Sequence, residues 1–127
     1  MAFPFKSTRS RVVAAAAVVA LPVLWYASAH PRGVLVAHLD HARGRYEVLS
    51  AGYPAPWSGE YSCLLEERYG VKINRVADCV VSPWLGWYIN GYNPTSRRLL
   101  EERYGKDIFR ECAEEARQQR EADNPEQ

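Results

Sequence analysis

The chain has 127 residues, enough for one modest domain, and its 16 basic and 15 acidic side chains leave a formal charge of +1. Lys6, Arg9 and Arg11 stand in residues 1–29 with no acid beside them, so residues 30–127 carry 13 basic against 15 acidic residues, a formal −2. A nucleic-acid binder presents a basic face, so nucleic acid is excluded as the expected partner.

Val12 to Ala29 form an 18-residue uncharged run dominated by Val, Ala and Leu. As a helix it would measure about 27 Å, close to the roughly 30 Å of hydrocarbon in a bilayer. Trp25 and Tyr26 lie toward its far end, where amphipathic rings favour the membrane interface. Ala27-Ser28-Ala29 also has the small-x-small form of a signal-peptidase site, and Pro22 stands where a signal helix often breaks. Residues 1–29 are therefore read as a membrane anchor or a signal peptide. In both cases residues 30–127 are expected outside the cytoplasm, either anchored through residues 12–29 or secreted after cleavage at Ala29.

Residues 30–43 read as a connector, with Pro31 and Gly33 interrupting regularity before a short helical stretch around Val34–Leu39. The expected domain spans 44–120, followed by a disordered tail at 121–127. Arg45 to Ser50 alternate and predict a strand, and Gly52, Pro54 and Pro56 then mark a loop. Ser58 is a candidate N-cap for a helix ending at Tyr69, with Trp57, Tyr61, Leu64 and Leu65 on one face. Gly70 stops it, because a residue without Cβ enters the left-handed region at little cost. Val71 to Val76 predict the second strand, prolonged by Cys79-Val80-Val81 as a buried run. Paired across the intervening helix, the two strands would be parallel.

Ser82-Pro83 opens the next helix, a cap followed by a first-turn proline. Asn93-Pro94 is expected to end or kink it, with Asn93 capping a fresh helix that Gly105 stops. The last helix begins near Asp107 and stacks Ile108, Cys112 and Ala116 on one side, fraying beyond Arg117. The fold class is thus a small, mostly helical α+β domain with two short strands, preceded by an N-terminal hydrophobic helix.

One feature of the sequence is a verbatim repeat: Leu64-Leu65-Glu66-Glu67-Arg68-Tyr69-Gly70 recurs as Leu99-Leu100-Glu101-Glu102-Arg103-Tyr104-Gly105. It predicts the same helix ending twice. The Glu66-Glu67 and Glu101-Glu102 pairs sit beside arginines in last turns and read as solvated faces rather than general acids.

Three cysteines permit at most one internal disulfide. Cys79 and Cys112, both in apolar runs, are the candidate pair, while Cys63 lies nearer the surface. His38 and His41, with Asp40 or His30, are weak metal candidates, since residues three apart share a helical face. Nucleophile elbows, phosphate loops, CxxC pairs and HExxH are missing from the sequence, so an enzyme is disfavoured and no cofactor is expected. Trp84, Trp87, Tyr88 and Tyr92 form the candidate binding surface, aromatics being enriched in interface hot spots. Of the two tryptophans, Trp84 is expected to be the more exposed and Trp87 to pack with Trp57 and Tyr61. The leading function is a membrane-tethered, non-catalytic binding or assembly domain for a protein or glycan. The alternatives are a small cell-envelope enzyme or metal protein using His30, His38 and His41, and a secreted structural or inhibitory domain.

Overall fold

A computed structural model describes residues 7–125. Lys6 and the last two residues of the expected tail lie outside the described residues. Helix α1 (Thr8–Ala27) opens on Ser7, whose hydroxyl accepts from the Ser10 amide, and runs on through Pro22. No residue of α1 is buried. Only Ser28 separates it from α2 (Ala29–Ala42). The expected connector is therefore a full helix of the domain, which extends its N-terminal limit back to Ala29.

Strand β1 (Tyr46–Ala51), helix α3 (Ser58–Tyr69) and strand β2 (Val71–Ala77) form a βαβ unit whose two strands pair in parallel. Val48 lies opposite Ile73, and the register slips between Ser50 and Ala51. Adjacent strand residues point to opposite faces, so Val48 enters one core cluster and Leu49 another. Ser58 is the first residue of α3 rather than its cap. Its carbonyl accepts from the Ser62 hydroxyl, and no side chain caps the helix. The chain leaves β2 at Ala77, and Cys79, Val80 and Val81 are exposed. The expected buried continuation of β2 is absent because the run turns outward at Asp78, whose carboxylate pairs with Arg75 at 3.1 Å.

Helix α4 (Pro83–Tyr104) is continuous, against the expected break at Asn93-Pro94. An interior proline costs a helix about 3 kcal/mol, and packing on both sides offsets it here. The Pro94 ring faces solvent, as does Asn90, whose carbonyl loses its partner. Asn93 does not cap a helix. Its Oδ1 accepts from the Leu49 amide at 2.8 Å and its Nδ2 donates to the Leu49 carbonyl at 2.7 Å. Ser96 donates to the Glu47 carbonyl at 2.7 Å. Two polar side chains of α4 thus satisfy the edge of β1 that does not face β2, where an unpaired strand would otherwise expose its backbone.

On its other side α4 crosses α2 at backbone distance. Ala29, Gly33 and Ala37, spaced four apart on one stripe of α2, are all buried. A Cβ on Gly33 would run into the Tyr88 carbonyl oxygen, and one on Gly91 into the His30 carbonyl oxygen. Only glycine allows this approach.

Helix α5 (Ile108–Asp123) is capped by Asp107 and buries Ile108, Phe109, Cys112 and Ala116, the stripe read from the sequence. It continues six residues past Arg117. The two copies of the repeat end alike, with Gly70 at φ 66° and Gly105 at φ 69°. Their equivalent leucines, Leu65 and Leu100, are both fully buried in one cluster. Their tyrosines meet edge to face at 4.9 Å, and the Tyr104 hydroxyl donates to the Tyr69 carbonyl.

Candidate functional site

A groove of about 640 Å³ lies where the carboxyl ends of β1 and β2 meet the β1–α3 loop and α4. Crevices at the carboxyl ends of parallel strands are common ligand sites, because the loops that leave them are free to vary. Leu49 and Ile73 contribute apolar surface from the strands, and Ile89 adds to it from α4. Trp57 and Tyr61 stand on one wall with their rings edge to face at 5.6 Å. Arg97, from α4, and Arg75, from β2, bring positive charge, and among the described residues no carboxylate lines the groove.

The two guanidiniums differ. Arg75 is held by Asp78 and donates to the Gly52 carbonyl at 3.2 Å, so its charge is largely answered. Arg97 lies over the Phe109 ring at 4.8 Å, a cation–π contact, and among the described residues no carboxylate pairs with it. Burial pushes the Tyr61 hydroxyl above its ordinary pKa, and Arg97 opposes that shift. Asn93 cannot reach a ligand with its amide while both ends are engaged by Leu49. The groove's hydroxyls are those of Ser50, Ser58, Ser62, Tyr53 and Tyr61, and among the described residues no histidine or acid lines it with them. Chemically the lining combines apolar and aromatic surface with positive charge, a combination suited to a planar or apolar group bearing an anion.

The aromatic surface expected on α4 is split by the fold. Trp84 and Trp87 are 43% and 46% exposed, so neither is markedly the freer. Trp87 packs not with Trp57 and Tyr61 but edge to face with Tyr26 at the end of α1, at 5.0 Å. Tyr88 is half-buried, and Tyr92 is buried with its hydroxyl donating to Asp40 at 2.8 Å. Burial, reinforced by that bond, raises the Tyr92 pKa, and it removes this residue from the candidate surface. The mistake has a simple origin: residues at i and i+4 share a face, but α2 covers that face at Gly91 and Tyr92 and leaves the helix start bare.

Asp40 is occupied by Tyr92 and by Arg45 at 4.0 Å. His30 and His38 are exposed, and the His41 ring meets Tyr46 at a tilt of 53°, with centroids 5.1 Å apart. Among the described residues no three metal-ligating side chains converge, so the fold does not assemble the weak metal candidates. All three thiols are free. Cys112 sits in the core, where burial raises its pKa, while Cys79 is exposed on the loop after β2, so the expected Cys79–Cys112 disulfide is not formed. Trp57 and Tyr61 share a face already legible in the sequence, whereas Arg97 has no sequence signal of its own: its place four residues after Asn93 gains meaning only once Asn93 is seen to face β1. Compared with known proteins, the chain matches no family model, no curated protein and no solved structure.

Proposed function

We propose that this chain is an exported, membrane-tethered domain that binds its ligand without transforming it, with α1 as anchor and the groove above β1 and β2 as ligand seat. The observation that carries the tether is the state of α1: twenty residues, apolar on every side from Val12 onward and with none buried. A helix apolar all round needs cover, and a bilayer supplies it. Arg9 and Arg11 at its start favour a cytoplasmic N-terminus, which puts the domain outside. Retention of α1 is favoured over its removal because Ala29 is fully buried as the first residue of α2. Cleavage there would strip the first rung of the α2–α4 crossing.

The groove's composition supports an organic anion with an aromatic or apolar body. Trp57 and Tyr61 would take the body and Arg97 the charge. Two measurements test the reading. An enzyme active only outside the cytoplasm, fused after Gln127, should be active, whereas activity from a cytoplasm-only reporter would refute export. Titrating the full chain in nanodiscs with 1-naphthoate should shift the Trp57 indole N–H and Asn93 amide resonances. Arg97→Ala should weaken that response about tenfold, as expected for loss of a charge-assisted contact. Equal shifts from the neutral alcohol analogue would show that the groove does not read charge.

A further inference from the structure

We propose that the start of α4 and the loop before it are seated in the headgroup layer of the bilayer, so that the domain lies against the membrane at a second point instead of swinging from α1. This inference rests on α1 being the span.

The geometry comes from the register between α1 and α4. Leu21, Pro22, Trp25, Tyr26, Arg32 and Trp84 line one cleft of about 490 Å³. Trp84 therefore stands beside Leu21 and Pro22, well before the end of α1 at Ala27. Six residues of helix correspond to about 9 Å along the axis, comparable to the thickness of one interfacial layer. If Ala27 is near the outer edge of the bilayer, the Trp84 ring lies within the headgroup region or at its inner boundary. Trp87 follows one turn later against Tyr26.

The loop ahead of α4 is apolar where a solvated loop is ordinarily polar. Val80 is 87% exposed and Val81 is exposed beside it. Trp84, in one cleft with Leu21 and Pro22, and Trp87, packed on Tyr26, are continuous with the lipid-facing surface of α1, which identifies the occupant as lipid. Tryptophan suits that layer because its ring is apolar and its N–H finds a partner there. The charges nearby are arranged to tolerate it. Asp78 is neutralised by Arg75. Arg32 lies over the Trp25 ring at 3.9 Å and donates to the Trp25 carbonyl at 2.7 Å, a cation placed at phosphate level.

The test uses the full chain in nanodiscs of phosphatidylcholine and phosphatidylglycerol, with tryptophans replaced by phenylalanine to leave one at a time. Circular dichroism verifies that each variant is folded. Lipids brominated at shallow acyl positions should quench Trp84 and Trp87 at least about twofold more than Trp57, and acrylamide should do the reverse, as depth in the interface requires. Val80→Asp, at a position with almost no protein around it, should reduce the lipid quenching of Trp84. Lipid quenching of Trp25 alone, with Trp84 and Trp87 open to acrylamide, would overturn the seat and leave the tether standing. Shielding of both from lipid and acrylamide together would overturn it in favour of a protein cover such as a second copy. Failure of lipid to quench even Trp25 would overturn the span and the seat with it.

Discussion

The two halves of α4 are held in opposite ways. Its first half approaches α2 so closely that Gly33 and Gly91 each meet the main chain of the facing helix, with Tyr88, Ile89 and Tyr92 packed around the crossing. Its second half, which ends in the second copy of the repeat, is held by large side chains: Leu100 beside Leu65, Ile108, Phe109 and Val71 in the larger cluster. Interlocked leucines contribute by area removed from water. A backbone crossing contributes by close approach and hydrogen bonds such as Tyr92 to Asp40, and it has no room to adjust. The difference teaches that one helix can lose stability through removed volume at one end and through added volume at the other.

The largest effect is expected from removing volume in the repeat half. Leu65→Ala and Leu100→Ala should each destabilise the domain by about 2–5 kcal/mol. Because the two side chains share a cluster, the double variant should depart from additivity. Chemical denaturation of the four-member cycle measures this, and strict additivity would show that the copies do not share a core.

Adding volume in the first half comes next. Alanine normally stabilises a helix relative to glycine by about 1 kcal/mol. At Gly33 and Gly91 the new Cβ meets main-chain carbonyl oxygen rather than a movable side chain. Gly33→Ala and Gly91→Ala should therefore destabilise by about 1–3 kcal/mol, the usual range for overpacking. Raised melting temperatures in both would mean that α2 and α4 stand further apart than described.

Much of the larger cluster was legible in the sequence, because Ile108, Cys112 and Ala116 recur at helical spacing and the repeat marks its own helix stops. The α2–α4 crossing was not. Gly33 was read as an interruption, when the informative pattern was Ala29, Gly33 and Ala37 at intervals of four. Asn93-Pro94 was read as a boundary because local propensity favours one, whereas the bonds from Asn93 to Leu49 belong to tertiary structure and leave no mark on neighbouring residues. The candidate groove was obscure for the same reason. Arg97, Trp57 and Ile73 come from three elements, and only the parallel register of β1 and β2 brings them together.

The glycine stops allow a smaller comparison between the copies. A Cβ at Gly70 or Gly105 would meet nothing within 4 Å, so the only obstacle to a side chain is positive φ. Gly70→Val and Gly105→Val should each destabilise by about 1 kcal/mol or more, since β-branched residues resist that region. The two should also match, unlike the glycines of the crossing, where space decides. Thermal melts that separate the pair by several degrees would show that one helix end has a further support.

The smallest effect concerns charge, and it separates the copies most cleanly. Arg68 of the first copy forks onto Glu115, with bonds of 2.6 and 2.8 Å, whereas its counterpart Arg103 lies over the Tyr46 ring at 5.1 Å. Arg68 holds the Glu115 carboxyl below its ordinary range, and Lys106 with the Tyr69 hydroxyl does the same to Glu111. A carboxylate whose pKa is depressed on folding stabilises the folded state above its unfolded pKa, about 4.3 for glutamate, and that contribution is lost as pH falls through the lower, folded value. Both acids are only about two-thirds covered, so solvent screening keeps the effect small. Stability attributable to this cluster should be flat from neutral pH to about pH 5 and then decline. Glu115→Gln should flatten the acid limb, and Arg103→Gln should leave its shape unchanged while lowering the whole curve slightly. Parallel acid limbs for the wild type and Glu115→Gln, measured by thermal melts across pH 3–7 in low salt, would remove the ion pair from the account of how α3 holds α5.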